Sequence, residues 1–365
     1  RLPGARTLAV LLGVSRKTVN LAYEELEAQG WIEVMPQRGT FVSLELPIIA
    51  PKELAATMDG KNLGSFQPER DKTAFKLHTH LDFLHHYSPP TLLSLRYTFD
   101  TGYPDVRLAP NRELSQALHR TLTGKRQQRI MNYAKDFRGH PSLLEEVLKY
   151  LSETRGIQAK RENLFITRGS LMAFSAIFRV LLQPGDQVVT GDLSFQVANN
   201  IIRIAGGKVL TIPVDEEGID VDALALLCKR EKIRAVFVMP HHHHPTTVAL
   251  SAARRMKLLH LAAEHGFAII EDDYDYDFHY SASPILPMAS ADQWGTVLYV
   301  GSFSKTVAPG LRTGFVLGPK SFIDELARIS RFMDCHGNPA IEKALANLFR
   351  EGVIRRHLKK SLKIY

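Results

Sequence analysis

Cysteine is almost absent from this chain. Cys228 and Cys335 are the only two among 365 residues, too few for a disulfide framework, so a reducing cytoplasm is the expected compartment. Long apolar runs are also missing. The longest, such as Leu171 to Leu182, are broken by Arg179 and too short to cross a bilayer, and no signal-peptide pattern opens the chain. A soluble protein without a membrane partner is expected. The loosely spaced His78, His80, His85 and His86 lack a second ligand set, so they do not read as a metal site. What remains is ample for a large core: 45% hydrophobic residues over a length that suits one sizeable α/β domain plus something extra. The net charge of +8 permits an anionic partner, but the excess is spread along the chain and identifies none.

The most informative stretch is Tyr299 to Gly314. An apolar run, Val297 to Val300, reads as a buried strand that empties into a Gly-Ser-Phe-Ser-Lys turn carrying Lys305, with Arg312 seven residues on. Hydroxyls at Ser302 and Ser304 and the guanidinium of Arg312 are the donors a phosphate ester needs, set around an amine able to condense with an aldehyde. Pyridoxal phosphate (PLP) carries both groups in one molecule.

At the N-terminal end, Leu8, Val10 to Leu12, Val14, Val19 and Leu21 mark two short amphipathic helices, broken at Gly13 and restarted by an N-cap at Ser15. The second runs to Gln29 and stops at Gly30. Trp31 to Val34 and Gly39 to Val42 then read as the two strands of a wing. The pattern is a winged helix-turn-helix over residues 1–43. Arg16, Lys17, Thr18 and Asn20, behind Ser15, open the recognition helix, where side chains reach base edges and phosphates. Arg6 and the wing residues Arg38, Gly39 and Thr40 complete the expected DNA-binding set. Residues 1–43 hold five Lys/Arg and four Asp/Glu, so placement rather than bulk charge carries this reading; the acids Glu24, Glu25, Glu27 and Glu33 lie beyond the contact end.

Residues 44–97 show no sustained period and are punctuated by Pro47, Pro51, Pro68, Pro89 and Pro90. They read as an extended linker with a short helix at Pro51 to Met58. From residue 98 the second domain begins, with a helix from Pro141 to Thr154. A regular strand, turn, helix alternation follows, with strands at Val188, Val209, Val236 and Ile269 and helices after Gly169, Ser194, Asp220 and Ser251. That order implies a mainly parallel sheet covered on both faces, with sites at the carboxyl ends of its strands. Helices at Ser321 to Met333, Ala340 to Arg350 and from Ile354 onward close the chain.

Further chemistry lies at these strand ends. Leu164 to Ser170 is a strand ending in Gly169 with a helix starting at once, a ready anion site whose glycine admits a phosphate. Val236 to Pro240 leads into four histidines, His241 to His244; successive residues of an extended segment point to opposite sides, so the four do not converge on one ion. Phe267 to Phe278 ends in an acidic run. A carboxylate there, Asp272 by its spacing to Phe278, can pair with a pyridine N–H and keep that nitrogen protonated, with Tyr274 as the phenol for O3′. A Mg²⁺ site is the rival reading of that run.

These motifs together resemble two families. Residues 1–43 resemble the winged helix-turn-helix of the GntR regulators, whose pattern has a further helix before this opening. The Lys305 segment resembles the lysine motif of fold-type I aminotransferases, and the combination resembles the MocR/GabR regulators, whose aminotransferase-like domain opens with a loop like Phe99 to Pro110. The resemblance implies that Lys305 forms a Schiff base with PLP and that Arg312 grips its phosphate. It implies that Phe195 stacks on the pyridine and that His242 matches the family's histidine, with His243 or His244 as alternatives near O3′ or the ring. Ser170 keeps the hydroxyl of the family's Thr-Gln pair. Tyr133 is the tyrosine that would reach the partner subunit's phosphate, although it stands three rather than two residues before Asp136 and Leu144 takes a place often held by arginine. Lys305, Asp272 and Tyr274 are expected to carry the chemistry. The small C-terminal domain, with the substrate-carboxylate arginine of the family, is expected to lie outside residues 98–365. The expected protein is a cytoplasmic homodimeric transcription regulator that binds DNA half-sites and responds to PLP or an amino compound. A working aminotransferase with an accessory winged helix is the alternative, and a scaffold that has lost the cofactor a third.

Overall fold

The computed structural model describes residues 1–45, 57–58, 61–62, 75, 102–124, 127–132, 136–279, 285–334 and 337–365. The chain divides into two units, Arg1–His78 and Thr79–Tyr365. In the first, α1 (Ala5–Leu12) ends at Gly13 in the left-handed region (φ 63°) and α2 (Arg16–Ala28) is capped by the Ser15 hydroxyl, which accepts from Thr18 N at 3.1 Å. The hairpin of β1 (Ile32–Met35) and β2 (Gly39–Val42) is antiparallel, with Ile32 opposite Val42. Ala9, Val19 and Ile32 form its small buried set. The start of the chain is tied to it by Leu2 N on Thr40 O (2.8 Å) and by Tyr23 Oη on Pro3 O (2.7 Å).

Most of the expected linker lies outside the described residues, as do His78, His80, His85, His86 and Cys335. Where a helix was expected to reach Met58, β3 (Thr57–Met58) instead pairs with β4 (Lys61–Asn62). The intervening Asp-Gly pair is a strong two-residue hairpin signal, and it outweighs the helical reading at this end; the remainder of that expected helix is not among the described residues.

The second unit supplies α3 (Asn111–Thr123), α4 (Gln127–Ile130) and α5 (Pro141–Arg155), then β5 (Leu164–Thr167), α6 (Ser170–Leu181), β6 (Gln187–Gly191), α7 (Gln196–Ile204) and β7 (Lys208–Ile212). A small hairpin, β8 (Val214–Asp215) and β9 (Gly218–Ile219), leads to α8 (Val221–Cys228), β10 (Ile233–Val238), α9 (Ala252–His265), β11 (Ala268–Asp273), β12 (Val297–Ser302), α10 (Phe303–Thr306), β13 (Gly314–Leu317), α11 (Lys320–Asp334), α12 (Pro339–Arg350) and α13 (Val353–Ser361). Seven strands form one sheet in the order β5-β13-β12-β11-β10-β6-β7, and β13 alone runs against the rest. The parallel strands are apolar almost throughout because both faces are covered. One face packs on α5, α8, α9, α12 and α13 through residues such as Leu143, Val147, Leu258 and Leu345; the other packs on α6, α7 and α11 through Phe174, Ile177, Ile202 and Leu326. Leu144, at the place the family often gives to arginine, is fully buried in the first of these cores. Among the described residues no helix is long and apolar enough to cross a membrane.

Two boundaries differ from the sequence reading in a way that matters for the site. Gly301 and Ser302, read as turn, are still strand, opposite Phe315 and Gly314 of β13. The reason is packing: a Cβ at Gly301 would fall 2.2 Å from the Phe315 ring, so the glycine serves close strand contact rather than chain reversal.

α5 begins with Pro141 at its first position and is capped by an imidazole: His140 Nδ1 accepts from Ser142 N at 3.1 Å. That acceptor exists only in the neutral ring. Burial first, then the charges of Lys343 and Arg161, lower the His140 pKa to about 4. The unfolded chain therefore takes up this proton before the folded one does, and stability linked to His140 is present above pH 6.5 and is lost as pH falls toward 4. His140→Asn keeps an N-cap acceptor without titrating. Thermal melts of the two proteins are expected to agree at pH 7.5, with the variant becoming the more stable as pH is lowered to 5; parallel curves would contradict the cap.

Candidate functional site

Parallel pairing of β11 and β12 sets Asp272 beside Val300, five residues before Lys305. Asp272 is 4% exposed and its Oδ1 has no hydrogen-bond partner. Burial, then the neighbouring carboxylates of Asp273 and Asp275, push its pKa well above the ordinary range. A buried carboxyl of this kind wants a donor or a positive charge brought to it. Tyr274, half-buried, donates to the His242 carbonyl at 3.0 Å, so its hydroxyl proton is already engaged on the histidine segment.

At the end of β12 the Ser302 hydroxyl caps the short α10 by accepting from Ser304 N at 3.1 Å, and Lys305 follows in the same turn. Lys305 is half-buried; its Nζ donates to the Gly102 carbonyl and lies 5.5 Å from the centre of the Tyr103 ring. The loop that opens the second domain thus reaches the Lys305 turn through Gly102 and Tyr103, two residues the sequence reading did not single out.

The opposite side of the turn is a cradle. Gly169, at φ 86°, precedes the first residue of α6, Ser170, and a Cβ on it would lie 3.1–3.3 Å from the Arg312 guanidinium. Arg312, itself left-handed at φ 47°, donates to Arg168 O at 3.0 Å. The register carries these together: Ser302 faces Gly314 across β13, and Gly314 faces Thr167 of β5. Backbone N–H groups opening a 12-residue helix, a guanidinium over a glycine and two serine hydroxyls are a donor set for a phosphate.

The four histidines separate. His241 is buried with neither ring nitrogen hydrogen-bonded, its Nδ1 lying 3.8 Å from Asp273 Oδ1, and burial first, then Arg255, lowers its pKa to about 3. His242 Nδ1 pairs with Asp275 at 2.9 Å, a bond that raises its pKa. His243 Nδ1 bonds Thr246 Oγ1 at 2.9 Å. His244 stands edge-on to Phe195, ring centres 5.8 Å apart, and its pKa is lowered by burial and then by the charge of Lys305. His244 is therefore the histidine on the Lys305 side, and Phe195 faces it; His242, favoured from the resemblance, is turned to Asp275. Tyr133 lies outside the described residues. Among the described residues no three His, Cys, Asp or Glu side chains converge as metal ligands. A cavity of about 1460 Å³ lies elsewhere in this unit, lined by α3, the start of α5 and α12, and none of its lining residues belongs to the Lys305 site.

In the first unit Arg6, Arg16, Lys17, Asn20 and Arg38 are all exposed. The hydroxyls of Ser15 and Thr18 bond one another at 2.8 Å, so they finish the cap of α2 before they can serve a ligand. Gly39 is left-handed (φ 109°), and a Cβ there would meet the Arg1 guanidinium at 2.8 Å; Thr40 offers its carbonyl to Leu2. These wing residues shape the first unit's backbone.

Comparison with known proteins decides the family. Residues 103–361 match the family described as aminotransferase class I and II. The chain belongs to that family. Residues 1–42 match the bacterial regulatory proteins of the gntR family, and this aminotransferase-family chain thus has the build of a MocR-type transcriptional regulator. It is 27% identical over 371 residues to the probable rhizopine catabolism regulatory protein MocR of Rhizobium meliloti, spanning all of this chain and 70% of the relative. It is 30% identical over 347 residues to the HTH-type transcriptional regulator TauR of Rhodobacter capsulatus, spanning 95% of this chain and 69% of that one. Among solved structures it is similar to the kynurenine aminotransferase of Pyrococcus horikoshii (TM-score 0.69, 26% identity, 78% of this chain and 75% of that one). It is also similar to the α-aminoadipate aminotransferase LysN of Thermus thermophilus, solved with N-(5′-phosphopyridoxyl)-L-leucine (TM-score 0.68, 27% identity, 73% and 67% of the two chains). This aminotransferase fold places the carboxyl ends of β5, β10, β11 and β12 at one edge, where Gly169, the histidine row, Asp272 and Lys305 of the second unit are found.

Gly169→Ala is expected to destabilise the second unit by about 1–3 kcal/mol, since the new Cβ sits on a left-handed backbone, and also to displace Arg312. Thermal melts read the first effect and uptake of PLP the second; an alanine variant matching the parent in both would rule out the cradle.

Proposed function

We propose that this MocR-type regulator binds DNA through its first unit and PLP through its second, with Lys305 as the residue that condenses with the cofactor aldehyde and releases water. The observation that carries the reading is the buried Asp272 with its unpartnered oxygen, on the strand next to the one that delivers Lys305. The residues present fit the group: Asp272 would meet the pyridine N–H, while Gly169, Ser170, Ser302, Ser304 and Arg312 would hold the phosphate. Phe195 and His244 would flank the ring, and Tyr274, whose hydroxyl bonds the His242 carbonyl, would be the phenol for O3′. When bound, PLP supplies an electron-withdrawing ring that activates amines joined to it. A carboxyl that is costly to ionise alone becomes a stable anion once a cationic ring nitrogen lies against it, so Asp272 gains from ligation what burial takes away.

The signal in this reading is PLP itself or an amino compound whose amine exchanges with that of Lys305. In a homodimer, ligation at two such sites would bias the arrangement of two DNA-reading units and hence the preferred spacing of half-sites. Such a regulator works in the cytoplasm. Arg16 and Lys17, exposed at the start of α2, are the phosphate and base contacts, with Arg38 on the wing. The second reading, a working aminotransferase, is favoured by the fold shared with the kynurenine and α-aminoadipate aminotransferases; steady transamination of an amino acid with 2-oxoglutarate in the absence of DNA binding would establish it.

With PLP the parent protein should show a visible absorption band that Lys305→Ala abolishes; persistence of the band would remove the chemical half of the proposal. Arg16→Ala and Lys17→Ala should each weaken binding to the upstream DNA about tenfold and flatten its salt dependence. A footprint that changes with PLP or an added amine tests the coupling.

A further inference from the structure

Behind the sheet, on the face away from Phe195 and α6, lies a buried charge cluster that no part of the cofactor reading uses. Its centre is Arg155, the last residue of α5, 4% exposed. Arg155 Nε donates to Tyr299 Oη at 2.7 Å, and that hydroxyl donates to Asp273. Its Nη2 is 3.2 Å from Asp277 Oδ1, an oxygen that also accepts from Tyr150. The other oxygen, Asp277 Oδ2, accepts from Thr306 Oγ1 at 2.9 Å. The guanidinium carbon lies 4.4 Å from the Tyr276 ring centre and 5.0 Å from that of Tyr150, and Nη1 donates to Thr154 Oγ1 at 2.9 Å.

Asp273 directly follows Asp272, and Thr306 directly follows Lys305. Through two short chains of hydrogen bonds one guanidinium therefore reaches both the strand end that carries the acid and the turn that carries the amine. We propose that Arg155 is a positioning residue that fastens the Asp272–Asp273 strand end and the Lys305 turn to one buried point, fixing amine and acid relative to each other; its consequence for PLP rests on the cofactor reading above. Arginine is the residue this task requires, because its fork serves a phenol and a carboxylate in one plane while its faces lie on two rings. The charge also has an electrostatic role: Asp273, driven up to about 6 by burial, is opposed chiefly by Arg155, so the guanidinium favours the ionised acid that the Tyr299 proton needs as acceptor. Removing it outright would strand Asp273 and Asp277 as uncompensated buried carboxylates, which makes a plain truncation a poor test.

Milder variants separate positioning from folding. Thr306→Val deletes the hydroxyl that Asp277 takes from the turn and leaves the buried ions intact. Arg155→Lys keeps the charge and loses the fork. In the PLP-free full chain, amide hydrogen exchange at Phe303, Val307 and Ala308, whose N–H groups are bonded to Thr313 O or Phe303 O, should quicken at least about tenfold in both variants. In Arg155→Lys the amides at the end of β11 should quicken as well, while β6 and β7 stay protected. Thr306→Ser, which restores the hydroxyl, should restore the protection. On adding PLP, Thr306→Val and Arg155→Lys should bind it about tenfold more weakly, with Thr306→Ser near the parent. Unchanged exchange at the turn in Thr306→Val and Arg155→Lys overturns the proposal, as does loss of protection across the whole sheet. If exchange rises at the turn but the parent itself takes up no PLP, the anchoring stands and the reading of the site as a PLP cradle is what fails.

Discussion

A carboxyl group shut away from water with one oxygen lacking a donor is the constraint on which the second unit turns. Asp272 sits among β10, β11 and β12, where ionisation is costly. Left alone, such a group would be a defect that a hydrophobic residue could mend. A cationic or hydrogen-donating group brought to it would relieve that cost, and the parallel sheet decides from where one could come. All strand ends but that of β13 open at the same edge, so the amine of Lys305, the glycine of the β5–α6 turn and the histidine row after β10 arrive on the same side as the acid.

The amino-acid sequence made the fold highly legible because the second unit repeats one unambiguous grammar: apolar strand, turn, capped helix. The helices after Gly169, Asp220 and Ser251 start at or within a residue of where capping chemistry puts them, since Asp220 and Ser251 accept from the first-turn amides. The site was legible wherever a motif depends on chain-local geometry, as with Lys305 in its serine turn or Gly169 before α6. It was opaque wherever a side chain's direction is chosen by long-range neighbours. No spacing rule tells which of four consecutive histidines faces a lysine; Asp275 captures His242, Thr246 captures His243, His241 is buried against Tyr276, and His244 is the one set against Phe195. Arg155 was invisible for the same reason. On paper it is the last basic residue of an amphipathic helix, an ordinary favourable neighbour for a helix C-terminus, and the two aspartates that enclose it come more than a hundred residues later.

The first unit is a different kind of object. Its buried set is small, and α1 and α2 leave Leu11, Leu12 and Leu21 largely exposed. Its shape rests on caps and backbone ties, Ser15 on Thr18 and Thr40 on Leu2, more than on core volume. Ser15, Thr18, Gly39 and Thr40 take part in these caps and ties, while the basic side chains beside them are open to solvent. The two roles interleave along the same few residues, which is why residue type alone did not separate them.

One feature of the sheet sets the spacing between Lys305 and Arg312. β13 reverses direction, so the segment from Ser302 to Gly314 leaves an edge and returns to it, landing next to where it began. Lys305 and Arg312 ride on this closed excursion. Their separation is thereby governed by the contour length of a single loop pinned at both ends, much as a clasp is governed by its wire. A residue inserted into or deleted from that excursion would change the span between amine and guanidinium without disturbing any strand.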